Sequence, residues 1–143
     1  ERILSLLDHN LTKLNLAVGL LMTLPGVPTI YYGDEAGLTG LKDPENRAFF
    51  PWDNMNQDTQ KIYQNWAKIR KSIPVLSNGD INLFYSDKIF GFVRKDENQS
   101  AIFIFNLSKE GVSVNTQDLT FLTQSVDFPP FFIGALESIY KLI

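Results

Sequence analysis

Asp43 and Arg47 are the two residues whose types and spacing best suit the binding of a polar ligand. Residues four apart lie on one side of a helical turn, so both side chains can face the same ligand. The carboxylate can accept hydrogen bonds from ligand hydroxyls, and the planar guanidinium can donate a fork of them. The competing interpretation is a plain surface ion pair that only pins its loop, as exposed pairs usually do.

A helix and a short apolar segment precede this pair. Apolar residues recur at helical spacing over 14–22, and Pro25 with Gly26 ends the pattern. Three side chains offer oxygens to cap the start of the helix: Asp8, Asn10 and Thr12. Residues 27–32 are β-branched, aromatic and apolar on both faces, which predicts a strand buried on two sides in a parallel sheet.

A long polar connection follows over residues 33–57, with Gly, Asp, Asn and Pro at turn positions. A connection of that length within a compact domain is usually functional or disordered, and we expect a functional one. Asp58 is the predicted N-cap of the next helix, whose apolar face runs to residue 73 and which Pro74 ends.

Short runs rich in Ile, Phe and Val begin at residue 78 and indicate an all-β region. The predicted strands are 81–85, 89–94, 101–107, 112–115 and 137–142, with a further short one near Phe121. Strands at this spacing favour a β-sandwich. Basic and acidic residues are equal in number up to residue 76, and the negative excess lies beyond it. The predicted domains are therefore 1–76 and 77–143.

Composition excludes several classes of protein. The net charge of −3 is small and the basic residues are scattered, so we expect no nucleic-acid partner and no membrane partner. The absence of cysteine excludes disulfides and thiolate metal sites and favours a cytoplasmic location. Residues 14–24 form the most apolar run, about half the length needed to span a bilayer, and indicate a buried helix.

The motifs together resemble the end of the catalytic barrel of α-amylase family glycoside hydrolases. GVPTIYYGDE at 26–35 matches the block Gly-x-Pro-x-x-Tyr-Tyr-Gly-x-Glu that forms the eighth barrel strand in that family. DPENR at 43–47 and PWD at 51–53 resemble the neopullulanase, cyclomaltodextrinase, maltogenic amylase and oligo-α-glucosidase members. The resemblance implies an α/β plus all-β fold, with the last part of a (β/α)8 barrel followed by an antiparallel β-sandwich.

The resemblance also implies a fragment. ERIL at 1–4 resembles what directly follows the family's His-Asp pair, and both catalytic carboxylates of the family come from earlier strands. Retaining glycosidases need those two carboxyl groups about 5 Å apart. We therefore expect the parent to hydrolyse maltodextrins, cyclodextrins or related α-glucans, and this chain alone to contain no catalytic residue and to be inactive. The alternatives are a non-catalytic carbohydrate-binding or structural β-sandwich module, and a fragment of a transglycosylase or isomerase of the same family.

The resemblance makes Asp43, Arg47, Tyr32 and Trp52 the candidate substrate-binding residues. In relatives the matching Asp-Arg pair lines the sugar subsites at the non-reducing end. Of two consecutive tyrosines in a strand, only Tyr32 or its neighbour can face the pocket, and the other belongs to the core. Trp52 suits sugar stacking and equally suits anchoring of the loop.

Other conspicuous residues favour structural roles. His9 is the only histidine, so an exposed or capping residue is expected, with no metal site and no cofactor. Asp34 or Glu35 is expected to tie the loop by accepting backbone N–H groups. Phenylalanines on the adjacent strands 89–94 and 101–107 are expected in the sandwich core rather than in a sugar platform. A barrel strand without neighbours predicts a homo-oligomer or domain-exchanged dimer that associates through residues 14–32.

Overall fold

The computed structural model describes residues 1–126, 128, 130–134 and 137–142. The chain divides into two compact units. The first consists of Glu1–Met22 and Val27–Ser72, and the second of Thr23–Gly26 and Ile73–Ile143. The boundary expected between residues 76 and 77 stays a prediction.

Four helices and two 3-10 turns make up the helical part of the described residues. The helices are α1 (Ile3–Leu6), α2 (Leu11–Thr23), α3 (Gln57–Ser72) and α4 (Val75–Asn78), and the 3-10 turns cover Glu45–Arg47 and Thr116–Asp118. The Oδ1 atom of Asn10 accepts the Lys13 amide at 3.0 Å and so caps α2. This confirms one of the expected capping residues.

The predicted cap of α3 is wrong by two residues. The Oδ1 atom of Asn56 accepts the amides of Asp58 and Thr59 at 3.1 and 3.0 Å. Asp58 lies inside the first turn, where its charge favours the positive end of the helix dipole without capping it. The helix therefore begins two residues earlier than an N-cap at Asp58 predicts.

A single apolar cluster holds the first unit together. One face of α2 and one face of α3 meet here, and Trp66 of α3 donates its indole N–H to Asn15 of α2 at 2.9 Å. The buried members are Leu4, Leu14, Val18, Met22, Tyr63 and Trp66. Burial of such large side chains stabilises the unit by about 1.5–3 kcal/mol each.

Residues 27–32 differ from the predicted buried strand. The structure assigns no strand here, and Val27 is 91% exposed. A strand needs hydrogen-bonding partners on its flanks, and the described part of the first unit contains no other strand. The prediction of a strand buried on two sides is therefore wrong for this segment.

In the described residues of the second unit, seven strands form two antiparallel sheets. The larger sheet has the order β5-β1-β2-β3-β7 and the smaller one pairs β4 with β6. The strands are β1 (Asp80–Tyr85), β2 (Ile89–Lys95), β3 (Ser100–Asn106), β4 (Val112–Val114), β5 (Thr120–Phe121), β6 (Phe131–Ile133) and β7 (Ser138–Leu142). Every predicted strand of this region is confirmed to within two residues. Strand β6 was missed, because the Pro-Pro sequence before it indicates a turn.

The register divides the large sheet into two faces. One face carries alternate residues of β1, β2 and β3 into a core that also takes Val114 of β4 and Ile133 of β6. The other face carries Phe92 and Phe103, which are paired across the strands with ring centroids 5.5 Å apart. Both rings are fully buried, as is Phe105. Their burial agrees with the expectation of packing, but they lie on the face opposite the core shared by the two sheets.

Two buried polar residues organise the second unit. The guanidinium of Arg94 is 1% exposed and donates to the carbonyls of Thr23 at 2.8 Å and Gly79 at 2.7 Å. The amide of Asn106 is fully buried and donates to the carbonyls of Glu110 and Gly134. A buried polar group left without partners costs about 1–3 kcal/mol, so these bonds hold the connections between strands in place.

Candidate functional site

The turn that carries Asp43 and Arg47 is closed by its own backbone. The Asn46 amide donates to the Lys42 carbonyl at 3.0 Å, and the Arg47 amide donates to the Pro44 carbonyl at 2.9 Å. The side chains of Arg47 and Asp43 form an ion pair of 3.1 Å and are 67% and 60% exposed. The predicted pair therefore exists, and both partners remain open to solvent.

Tyr32 lies next to this turn. Its hydroxyl donates to the carbonyl of Ala48, the residue after Arg47, at 3.3 Å. Tyr32 is 42% exposed and Tyr31 is 50% exposed, with ring centroids 4.9 Å apart. The expectation that one of the two belongs to the core is wrong. It assumed the alternation of a strand, and the backbone here is not part of one.

The aromatic residues after the turn are also open. Trp52 is 75% exposed, and its ring lies 4.4 Å from that of Phe50. Phe49, which the sequence did not single out as a site residue, is 98% exposed. Flat apolar rings in this position suit contact with the apolar face of a sugar ring.

Arg2 contacts the Asp43–Arg47 turn and both tyrosines, and the sequence did not predict this role. Its guanidinium carbon lies 4.3 Å from the centre of the Tyr31 ring and 4.6 Å from that of Tyr32. Its Nε donates to the Asn46 carbonyl at 2.7 Å, and Nη1 donates to the Tyr32 carbonyl and to Asp34. Arg2 is 1% exposed. No local pattern signals this role, because its partners lie 29 to 44 positions away in the sequence.

The two acidic residues after Tyr32 are partly buried. Asp34 pairs with the Arg2 guanidinium at 3.0 Å, a side-chain contact and not the expected bond to backbone N–H groups. Burial raises the pKa of the Asp34 carboxyl above its ordinary value of 3.8, although the hydrogen bond and the charge of Arg2 pull it down. The Oε2 atom of Glu35 is buried without a hydrogen-bond partner among the described residues.

A small groove of about 230 Å³ lies in the same unit. It is lined by the α2 residues Ala17, Val18 and Leu21, together with Ile30 and Asp34. A second, more polar cavity of about 950 Å³ lies in the second unit, where Asn82 and Thr123 hydrogen-bond to each other in its wall. Neither cavity includes Asp43, Arg47 or Trp52, which lie on an open surface.

The described residues contain neither a metal-binding cluster nor a membrane-spanning helix. Among them, no three histidine or carboxylate side chains gather in a way that could hold a metal ion. His9 is exposed and has a positive φ of 57° in the tight connection between α1 and α2. None of the helices in the described ranges is long and apolar enough to cross a bilayer.

Comparison with known families decides the identity of these motifs. Residues 1–87 match the family described as alpha amylase, catalytic domain. The chain belongs to the α-amylase family. The matched range includes the segment 26–35, the Asp43–Arg47 turn and Trp52. The resemblance of these motifs to the α-amylase family is therefore confirmed.

Relatives and solved structures agree with this assignment. The chain is 42% identical to the amylopullulanase of Thermoanaerobacter thermohydrosulfuricus over 89 residues, which are 62% of this chain and 6% of that protein. It is 32% identical to neopullulanase 2 of Thermoactinomyces vulgaris over 122 residues, which are 82% of this chain and 21% of that protein. The ligand-free cyclic α-maltosyl-(1→6)-maltose hydrolase of Arthrobacter globiformis covers the whole chain with a TM-score of 0.86 at 27% identity.

The matches cover only part of each known protein. This chain spans 6% and 21% of the two curated relatives and 32% of the solved hydrolase. Membership of the α-amylase family, structural neighbours from that family and two antiparallel sheets are shown for the chain. The activity of a whole protein of this family is a matter for proposal.

Proposed function

We propose that this chain is the C-terminal part of a retaining α-glucosidic hydrolase that acts on maltodextrins, cyclodextrins or related α-glucans. In this proposal residues 1–76 complete a (β/α)8 barrel, and residues 77–143 form a C-terminal β-sandwich. The observation that carries the proposal is the exposed Asp43–Arg47 pair, held on a closed turn beside Tyr32. In barrel enzymes the loops after the strands build the active-site face, which is where such a turn belongs.

The catalytic carboxylates would come from outside this chain. Retention requires a nucleophilic carboxylate and an acid/base carboxyl about 5 Å apart, on opposite sides of the glycosidic bond. The relatives are several times longer than the matched region, which leaves room for those residues elsewhere in a complete protein. Under this proposal the chain supplies sugar contacts, and by itself it does not cleave glycosidic bonds.

The ion pair suits sugar binding because it is inexpensive to rearrange. An exposed pair contributes about 0–1 kcal/mol, so a sugar hydroxyl can replace one of its contacts at little cost. The Asp43 carboxylate would accept hydroxyl protons, and the Arg47 guanidinium would donate to hydroxyl oxygens. The open faces of Tyr32 and Trp52 would provide apolar contact with the sugar rings.

Substitution of Arg47 in the protein that carries this chain tests the proposal. We expect Arg47→Ala to raise the KM for a maltooligosaccharide about tenfold, since hydrogen bonds to a charged group contribute about 1.5–3 kcal/mol. The kcat should change little, because the contact is made in the ground state and in the transition state alike.

Lys61→Ala is the matched control. Lys61 forms an ion pair with Asp58 at 3.4 Å, and the two side chains are 66% and 71% exposed in the same unit. Loss of an exposed ion pair as such affects both variants alike, whereas loss of a sugar contact affects only Arg47→Ala. An unchanged KM in Arg47→Ala, or an equal rise in both variants, contradicts the proposed binding role.

A further inference from the structure

We propose that Arg2, together with the neighbouring Ser5–Gly40 hydrogen bond, is a positioning device that fixes the Asp43–Arg47 turn against the start of the chain. The inference rests on the proposed function for its consequence in substrate binding. Its structural part stands on contacts within the first unit alone. These contacts join residues 2–5 at the start of the chain to residues 31–34 and 40–46.

Arg2 contacts the turn directly. Its Nε donates to the carbonyl of Asn46 at 2.7 Å, and Asn46 lies between Asp43 and Arg47. A carbonyl held by a buried guanidinium cannot rotate toward solvent without losing a charge-assisted bond, which is stronger than a bond between neutral groups. The orientation of the turn is thereby coupled to that of Arg2.

The loop that leads into the turn is fixed by the same segment. The Arg2 amide donates to the Gly40 carbonyl at 2.9 Å, and the Gly40 amide donates to the Ser5 hydroxyl at 2.8 Å. Gly40 has a φ of 142°, which side chains disfavour. A Cβ atom added to Gly40 would also lie 2.7 Å from backbone atoms of Asn46. The glycine allows the loop to pack directly on the turn.

Arg2 itself is held from several directions. Asp34 pairs with it at 3.0 Å, and the rings of Tyr31 and Tyr32 lie against the guanidinium. The planar guanidinium uses its fork for the Asn46, Tyr32 and Asp34 contacts and its flat faces for the rings. A lysine ammonium cannot reproduce that geometry, although it keeps the charge.

Hydrogen exchange and kinetics on the protein that carries this chain test the inference. In Arg2→Lys we expect amide exchange across residues 40–48 to become about tenfold faster, and the KM for a maltooligosaccharide to rise about tenfold with kcat within about twofold. In the double variant Arg2→Lys with Arg47→Ala, the rise in KM should be smaller than the product of the two single effects, because both changes act on the contact that Arg47 makes.

Arg94→Lys is the matched control, since Arg94 is an equally buried arginine that donates to backbone carbonyls in the second unit. It should lower the melting temperature and leave both the exchange of 40–48 and the KM unchanged. Should Arg2→Lys fail to fold, Ser5→Ala decides, because it removes only the Gly40 anchor and should speed exchange over the same residues.

The outcomes separate this inference from the proposed function. Unchanged exchange over 40–48 in Arg2→Lys overturns the positioning role, even if Arg47→Ala raises the KM. Faster exchange supports the positioning role, even if Arg47→Ala leaves the KM unchanged, in which case the proposed binding role of the turn is wrong. Equal effects in Arg94→Lys overturn the inference, because they mean that any destabilisation loosens the turn.

Discussion

Two opposing effects act on the pKa of the Asp34 carboxyl group: its ion pair lowers the pKa and its burial raises it. Its side chain is 15% exposed and contacts Arg2, whose charge favours ionisation. Burial nevertheless outweighs that attraction and raises the pKa of the carboxyl above 3.8. The folded protein therefore holds this proton at pH values where the unfolded chain has already released it.

The sign of the resulting pH dependence follows from linkage. Between pH 3.8 and the raised pKa the folded state binds more protons at Asp34 than the unfolded state, so stability falls as pH rises through that window. We expect the free energy of unfolding of the native protein, minus that of Asp34→Asn, to decrease from pH 3.5 upward and then level off. Urea denaturation of both proteins at a series of pH values measures this difference in the free energy of unfolding. A difference that increases with pH contradicts the raised pKa.

At the level of the elements, Asn56 and Asp58 have different roles at the start of α3. Asn56 accepts two backbone amides of the first turn, whereas Asp58 lies within that turn and contacts Lys61 at 3.4 Å. Removal of an N-cap side chain costs about 0.5–2 kcal/mol, and removal of an exposed ion pair costs less. We expect Asn56→Ala to lower the free energy of unfolding by about 1 kcal/mol, as measured by urea denaturation.

Asp58→Asn serves as the control for this element, since it keeps the shape of the side chain and removes its charge. The expected loss is below about 0.5 kcal/mol, from the helix dipole and Lys61 together. A larger loss in Asp58→Asn than in Asn56→Ala would restore Asp58 as the cap.

The elements that could be predicted are those whose signal is local. Strands β2 and β3 are runs of mainly apolar residues that are buried on both faces of the sheet and end at polar turns. Their bounds therefore follow from the sequence to within two residues. The candidate pair Asp43–Arg47 is also local, because its spacing and its turn lie within five residues. Strand β6 could not be predicted, since its pairing with β4 joins residues about twenty apart across a Pro-Pro sequence.

Across the whole molecule, the contacts that place the candidate site and those that organise the second unit are non-local and have no sequence signal. Arg2 contacts Asn46 across 44 positions, and Arg94 contacts Thr23 across 71. A buried arginine is uncommon enough that composition argues against it, and only the three-dimensional arrangement shows which carbonyls it meets. The same holds for residues 27–32, whose apolar pattern predicted a strand that the structure does not contain.

The apolar surface around that segment leads to a prediction for the 143-residue chain as a whole. Val27 is 91% exposed, Ile30 39% and Leu21 37%, and the groove beside α2 is lined largely by apolar side chains. Exposed apolar side chains around such a groove can be covered by a partner. We expect the chain expressed by itself to self-associate, with a sedimentation coefficient that increases with concentration. Val27→Lys should reduce the association by placing a charge in the contact, whereas Lys88→Ala, on a polar turn of the second unit, should not. A concentration-independent monomer in sedimentation velocity would exclude association through residues 14–32.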